Sequence, residues 1–371
     1  MSKLLLIAFL SIFLAIQACS KSKDPEDKPQ DSTQDKSQDT NKETKETTPD
    51  PDSEISSNEH FQKGNTFFDD KKYDDAISEY SIAIEEEPSS AEIHFNRGKV
   101  YALLDEHEKA ISDFARAIEL RPDAAIIYFE RGLVYITTEE NDLALVDFEK
   151  SIELAPNFAA AHANRAYIKA AQEDLETALE EYNIAIYLDS SRFEFYQRRA
   201  AIYLAQEEYA KSKADLSRAI LLNPNSAYAY FVRAQIHSGQ KQYELSIADY
   251  SRTIELLPES LVAYTQRGWV YKLNSQFELA LDDYNTAIEL KEDFAGAYND
   301  RAYIYMDLDE LDLALESVNK AIQISPIAAF VDTRGDVYKE MQESALMCED
   351  YRVGCDLESE ISCQKYADQA C

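Results

Sequence analysis

Residues 91–124 read AEIHFNRGKVYALLDEHEKAISDFARAIELRPDA, and the 371-residue chain keeps returning to this stretch. Its proline, Pro122, recurs one 34-residue step away as Pro88 and Pro156. Further steps reach Pro224, Pro258 and Pro326, with Ser190 and Glu292 at the two steps that lack a proline. A fixed period of this length is the signature of stacked helix pairs. Within the stretch, apolar residues recur at helical spacing in two runs. Ile93, His94, Phe95, Val100, Tyr101 and Leu104 form the first, and Ala110, Ile111, Phe114, Ala117 and Ile118 the second. The spacing predicts two amphipathic helices. Asp105 and Glu106 interrupt the pattern between them, and Arg121-Pro122 stops the second, because proline lacks a donor and pushes its predecessor out of helix.

With Ala91 as position 1, the stretch places His94 at position 4, Gly98 at 8, Tyr101 at 11, Ala110 at 20, Phe114 at 24, Ala117 at 27 and Pro122 at 32. The unit from Ser57 carries His60, Gly64, Phe67, Ala76, Tyr80, Ala83 and Pro88 at those positions. The unit from Leu261 carries Tyr264, Gly268, Tyr271, Ala280, Tyr284 and Ala287, with Glu292 in place of the proline. This pattern resembles the tetratricopeptide repeat family. The resemblance implies an all-α fold, a right-handed superhelical solenoid of about nine helical hairpins. Units start at Ser57, Ala91, Ala125, Ala159, Phe193, Ala227, Leu261 and Ala295, so eight regular units cover 57–328. After Pro326 one residue drops out, yet Arg334-Gly335, Tyr338 and Asp350-Tyr351 restore the register. Residues 329–371 therefore read as a ninth, degenerate unit followed by a cysteine-rich cap. Ser212, Leu216, Ser246 and Thr253 depart from the small and aromatic pattern and are expected to loosen packing locally.

Position 7 is arginine in every regular unit after the first. Position 23, on the second helix, is acidic in all of these but the eighth, where Ser317 stands opposite Arg301. The constant offset predicts an ion pair inside each hairpin: Arg97–Asp113, Arg131–Asp147, Arg165–Glu181, Arg199–Asp215, Arg233–Asp249, Arg267–Asp283 and, in the ninth unit, Arg334–Asp350. Arginine can grip a carboxylate with two parallel hydrogen bonds. The pairs are read as structural rather than as a ligand-binding ladder.

The ends of the chain differ in kind. After Lys3 an apolar run extends from Leu4 to Ile16 and leads into Gln17-Ala18-Cys19. The run is short for a membrane span and suits a signal peptide. Ile16-Gln17-Ala18-Cys19 resembles a bacterial lipobox, which implies removal of residues 1–18, acylation of Cys19 and attachment to a membrane without crossing it. Ordinary secretory cleavage beside an incidental cysteine is the alternative. Residues 19–56 are rich in Asp, Lys, Thr, Gln, Ser and Pro, with Ile55 their one large apolar side chain. Such a composition does not fold and reads as an acidic tether, with a reach on the order of 35 Å by random-coil scaling. A non-acidic Ser20 after the lipidated cysteine resembles lipoproteins of the outer membrane. The expected location is therefore the bacterial cell envelope, on the periplasmic or surface face of that membrane.

Four cysteines remain, Cys348, Cys355, Cys363 and Cys371, an even number in an exported chain. If two helices fold back near Glu358–Glu360, Cys355 meets Cys363 and Cys348 meets Cys371, because the two pairs share nearly the same midpoint. These disulfides would staple a C-terminal capping helix. GCDLESEISC also resembles the disulfide-linked hairpins of cysteine-rich helix-pair repeats. A zinc site is the rival, but the spacings miss the short Cys-x-x-Cys knuckle.

The chemistry of enzymes is not visible. The five histidines fall on packing positions or, for His107, in a turn, and no metalloprotease, nucleophile-elbow, phosphate-loop or dinucleotide motif occurs. No cofactor is expected. A pair of carboxylates of the kind glycosidases use is the one hydrolytic arrangement left open in so acidic a chain. The formal charge of −33 argues against nucleic acid, whose phosphates demand clustered Lys and Arg.

In the resembled family, positions 2, 5, 9, 12 and 13 of the first helices face a concave groove. Over the eight regular units the charged residues among them are Asp69, Glu92, Lys99, Glu194, Lys272 and Asp307, far fewer than the 29% charged composition would place there. The candidate groove residues are Phe95, Lys99, Ile126, Phe129, Leu133, Ile136, Tyr167, Tyr228, Phe231, Trp269 and Tyr303. Aromatic and apolar side chains of this kind anchor protein interfaces. The Lys, Asn and Arg clamp that some of these repeats use for chaperone C-termini is not matched. The reading is a membrane-anchored scaffold or adaptor for protein or peptide partners, similar to bacterial lipoproteins that use such repeats in outer-membrane assembly, pilus secretion or cell-wall enzyme regulation. A surface receptor for host or peptidoglycan ligands is the alternative.

Overall fold

The computed structural model describes residues 57–369 and 371; the leader, Cys19 and the tether lie outside the described residues. Nineteen helices and no strand occur among the described residues. First helices are α1 (Ser57–Asp69), α3 (Ala91–Leu103), α5 (Ala125–Thr137), α7 (Ala159–Ala171), α9 (Phe193–Ala205), α11 (Ala227–Gly239), α13 (Leu261–Leu273), α15 (Ala295–Asp307) and α17 (Ala328–Glu340). Second helices are α2 (Tyr73–Glu86), α4 (His107–Leu120), α6 (Asn141–Leu154), α8 (Leu175–Leu188), α10 (Tyr209–Leu222), α12 (Tyr243–Leu256), α14 (Phe277–Leu290), α16 (Leu311–Ile324) and α18 (Ser344–Asp356), and α19 (Glu360–Asp368) ends the chain. The chain is thus an all-α solenoid of antiparallel hairpins. The ninth hairpin starts at Ala328, one residue earlier than the sequence boundary. The described residues divide into two compact units, 57–202 and 203–371.

Each hairpin closes in the same way. The residue that follows the first helix's last turn takes a left-handed conformation, as at Asp105 (φ 58°) and Glu139 (φ 63°). The next amide then donates back to the helix, Glu106 N to Tyr101 O at 2.9 Å and Glu140 N to Tyr135 O at 2.8 Å. These bonds satisfy carbonyls that the helix end would otherwise leave orphaned. None of the left-handed residues is glycine.

The period becomes a core because small residues let helices approach and one large side chain per hairpin, a ring in all but the fifth (Leu216) and eighth (Val318), fills what remains. Ala110, Phe114 and Ala117 of α4 are wholly buried. Gly98 of α3 lies directly over the Phe114 ring, where an added Cβ would come within 2.9 Å. The expected loosening at departures from the pattern does not occur. Ser212, Leu216 and Ser246 are wholly buried. The Ser246 hydroxyl donates to Ala234 O at 2.8 Å and that of Thr253 to Asp249 O at 3.0 Å. Hydroxyls that fill small positions and bond to backbone carbonyls leave neither a void nor an orphan.

At the C-terminus, α18 turns into α19 through Glu358, again left-handed (φ 65°). Disulfides join Cys355 to Cys363 and Cys348 to Cys371, with Cα–Cα distances of 4.5 and 5.5 Å. Gly354 lets the two helices touch, since a Cβ there would collide with the Ser362 hydroxyl. Lys365 of α19 reaches across to α17 and meets Asp332 at 2.8 Å and Asp336 at 2.7 Å. Ser362 Oγ donates to Asp332 Oδ1 at 3.1 Å and Tyr351 OH to Asp336 Oδ1 at 2.8 Å. The final helix therefore takes the place that the first helix of a tenth hairpin would fill, and covers the open end of the stack.

Candidate functional site

The arginines of position 7 decide which surface is free. Arg131 Nε and Nη2 donate to the two oxygens of Asp147 at 2.8 and 2.7 Å, and Arg267 grips Asp283 at 2.9 and 2.7 Å. Arg97–Asp113, Arg233–Asp249 and Arg334–Asp350 repeat the geometry at 2.7–2.9 Å. Arg165 bonds to Glu181 through Nη2. The carboxylates are buried, Asp147 to 2% exposure. Arg301, opposite Ser317, donates to that hydroxyl at 3.2 Å. Arg199 and Asp215 belong to different units, and their pairing remains an expectation from the sequence.

The sequence reading missed the third partner. Nη1 reaches back to position 25 of the preceding hairpin: Arg97 to Ser81 at 3.0 Å, Arg199 to Asn183 at 2.6 Å, Arg233 to Ser217 and Arg267 to Ser251 at 2.9 Å, and Arg301 to Asn285 at 2.8 Å. The signal was present as Ser or Asn recurring at the 34-residue step. The guanidiniums of Arg97, Arg233, Arg267 and Arg301 thus tie their own hairpins to the preceding ones, with donations from Nε and Nη1 in each held inside the protein. Two of the buried histidines are engaged likewise. His162 Nδ1 lies 2.7 Å from Glu181 and Nε2 2.9 Å from Pro156 O, and His94 lies 3.4 Å from Asp113 and 3.3 Å from Pro88 O. Burial opposes ionisation of Glu181, but the hydrogen bonds from His162 and Arg165 outweigh it and hold the carboxyl below its ordinary pKa.

The candidate groove residues separate into two sets. Phe129, Tyr228 and Phe231 are buried, at 8%, 8% and 2% exposure, which corrects their reading as groove anchors. Phe129 packs between Phe148 (5.8 Å) and Phe158 (4.7 Å), and Phe231 meets Tyr250 edge-on at 5.5 Å. Positions 2 and 5 therefore close seams between helices in these hairpins. Phe95, Leu133, Ile136, Tyr167 and Tyr303 are half-buried, while Ile126 and Trp269 are exposed. Arg198 covers the Tyr167 ring at 4.8 Å, and Tyr303 OH bonds to Thr333 Oγ1 at 3.0 Å. Lys272 sits over Trp269 (5.5 Å) and Tyr303 (4.8 Å) and pairs with Asp307 at 3.1 Å. Asp300 lies close by, and burial pushes its carboxyl up to about 6, against the pull of Asn299 and Lys272.

In the N-terminal unit, a cavity of about 320 Å³ opens between the first two hairpins, lined by Asn65, Phe68, Asp69, Tyr80, Asn96 and Lys99. Asn65 Oδ1 accepts from Tyr80 OH at 2.7 Å and from Asn96 Nδ2 at 3.1 Å. With that oxygen filled, what Asn65 has left to offer is its NH₂ group, a donor. Burial and the nearby Asp69 keep the Tyr80 phenol protonated. Lys99 is held over the rings of Phe68 (5.4 Å) and Phe95 (5.5 Å). A fixed amide, a cation, a carboxylate and a ring face thus converge on one hollow. Lys99 and Phe95 are legible from the sequence as groove residues; Asn65, Asn96 and the ring-position Tyr80 acquire a role in the hollow only when positions 6, 9 and 24 of adjacent hairpins meet.

Among the described residues, no group of three or more His, Cys, Asp or Glu is arranged to hold a metal ion, and no helix is long and apolar enough to cross a membrane. Stacked hairpins whose fixed charges serve the frame, with a polar hollow on the first-helix face, define an interaction solenoid. Models of the tetratricopeptide repeat match residues 61–125, 104–157 and 198–260, and a second such model matches 261–294 and 295–327. The chain belongs to the tetratricopeptide repeat family, and its fold is that of a protein-interaction scaffold. No curated protein matches it. Among solved structures, it is similar to the C-terminal part of a repeat protein from Cytophaga hutchinsonii, at 15% identity and a TM-score of 0.53, over 65% of this chain and 98% of that one. It is also similar to YrrB, a repeat protein described as having an unusual peptide-binding site, at 25% identity and a TM-score of 0.45, over 48% of this chain and 92% of that one. A tetratricopeptide repeat protein from Parabacteroides merdae follows at 17% identity and 0.49, over 67% and 99%.

Proposed function

We propose that the protein is a lipid-anchored scaffold of the bacterial cell envelope that receives a protein or peptide segment on its first-helix face, entering at the hollow of the first two hairpins. The observation that carries this reading is the hollow's chemistry. A fixed Asn65 amide meets a peptide carbonyl, Lys99 meets an acidic side chain or chain end, and Phe68 gives an apolar wall. That combination suits main-chain recognition with one charged determinant, because a few placed polar groups against apolar surface fix a ligand's orientation. The largely uncharged neighbouring positions extend the same surface. Anchoring rests on the lipobox-like Ile16-Gln17-Ala18-Cys19, and the tether of 19–56 would hold the repeats clear of the bilayer.

The experiment pairs two variants in intact cells. Cys19→Ala is expected to move the protein from the membrane to the soluble fraction and to remove acyl mass from its N-terminus. Asn65→Ala with Lys99→Ala is expected to leave it membrane-bound while abolishing its crosslinks to a defined partner. Crosslinks that survive the double substitution would place the partner elsewhere.

A further inference from the structure

The second helices carry a pattern that the first-helix groove does not explain. In four consecutive hairpins of the C-terminal unit, the third residue of the second helix is leucine: Leu245 of α12, Leu279 of α14, Leu313 of α16 and Leu346 of α18. Their exposures are 53%, 43%, 42% and 41%. The residue that follows each one, Ser246, Ala280, Ala314 and Met347, is buried. Each leucine thus sits at the edge of its helix's packed face, half covered and half in solvent. The exposed half of each leucine is left in water, and its recurrence at one position makes a row rather than scattered exposure.

Carboxylates border the row on both sides. Glu244, Glu278 and Asp312 precede the leucines, and Asp282, Glu316 and Glu349 lie one helical turn after them; all six are exposed. The cations further along these helices are engaged locally, Arg252 with Glu255 at 2.7 Å, Lys320 with Gln323 at 3.3 Å and Arg352 with Asp356 at 2.9 Å. In the preceding hairpins the same position holds Asp75, Lys109, Leu143, Thr177 and Lys211, so no row forms there.

We propose that this leucine row is a second docking surface, separate from the first-helix face, and that its occupant is a basic amphipathic helix with apolar residues along one side and Lys or Arg flanking them. The apolar stripe supplies contact area, and the two acidic borders select a partner of opposite charge. A second copy of this chain would bring the same carboxylates to the same face, and like charges across an interface oppose it.

The test uses the full-length protein and a fluorescent synthetic helix with Leu on one face and Lys on the other, beside an equally charged peptide with Ser for Leu. The Leu/Lys peptide is expected to bind about tenfold tighter than the Ser/Lys peptide. Leu279→Ser with Leu313→Ser should remove most of that advantage, whereas Tyr187→Ser, an exposed aromatic in the other unit, should leave it intact. Unchanged thermal unfolding of each variant shows that the frame is retained. Glu278→Gln with Glu316→Gln should weaken binding and flatten its salt dependence. Equal affinity for both peptides, or an advantage that survives the leucine double variant, overturns the proposal. So does loss, in that variant, of binding to phosphatidylcholine vesicles or of self-association, with no difference between the peptides, since either assigns the row to another occupant.

Discussion

Arg131–Asp147 in the N-terminal unit and Arg267–Asp283 in the C-terminal unit have nearly the same geometry. Five positions before the second-helix ring position, the two units diverge: exposed or half-buried residues of mixed character in one, acid-bordered leucines in four hairpins of the other. The first-helix face diverges as well, since position 9 is Asn65, Lys99, Leu133, Tyr167 and Ala201 in the first unit and Gln235, Trp269, Tyr303 and Asp336 in the second. The difference teaches that the repeat constrains what is buried and leaves the exterior free. Two units can then share one frame and present different chemistry.

The largest expected effect tests the shared frame. Asp147→Ala and Asp283→Ala each leave a guanidinium facing a buried site without its counter-charge, a loss of about 3 kcal/mol in either unit. Ser317→Ala removes a neutral partner of Arg301 and should cost about 1 kcal/mol. Urea unfolding of the three variants checks the order. Unequal costs for the two aspartates would break the equivalence of the units.

Next comes the cap, which only the C-terminal unit has. Reduction, or Cys355→Ser with Cys348→Ser, should lower that unit's stability by about 2–4 kcal/mol. Hydrogen exchange should then rise in α17 to α19 and stay unchanged in α3 to α6, because repeat arrays transmit effects mainly to neighbours.

The pH response should separate Asp300 from Glu181 by sign. Folding holds the Asp300 proton, so the group costs stability above about pH 6, and the cost vanishes as pH falls below 3.8. Asp300→Asn is expected to stabilise by about 1–2 kcal/mol at pH 7, with the gain fading between pH 6 and 4. Glu181 is shifted the other way: its stabilisation is present above its ordinary value of 4.5 and is lost as pH falls through the lowered value. Glu181→Gln should therefore cost most at pH 7 and least in acid, and thermal melts across pH follow both. The smallest effect is at the turns, where Asp105→Asn and Ser275→Asn should each stabilise by about 0.5 kcal/mol, because Asn tolerates the left-handed conformation better.

The hairpins were legible because a ring at position 24 and small residues at 8, 20 and 27 answer to contacts inside one repeat. The Arg–carboxylate pairs were legible for the same reason, as a constant offset within a unit. Seams between repeats were not. Phe129 reads as a groove residue until Phe158 of the next unit packs on it, and Asn65 is unremarkable until Asn96 and Tyr80 meet it. The Ser and Asn residues at position 25 likewise acquire a role only from an arginine in the following hairpin. The first-helix hollow and the leucine row both belong to this second kind of information, written across neighbouring units.

A photo-crosslinking residue at Phe68, in the full-length protein in intact cells, tests the central claim most directly. The account predicts a discrete adduct with one partner protein that disappears when Asn65→Ala and Lys99→Ala are added, and no such adduct from the same crosslinker at Tyr187. An adduct that persists in the double variant, or that forms equally from Tyr187, would contradict the assignment of the hollow as the entry of the binding site.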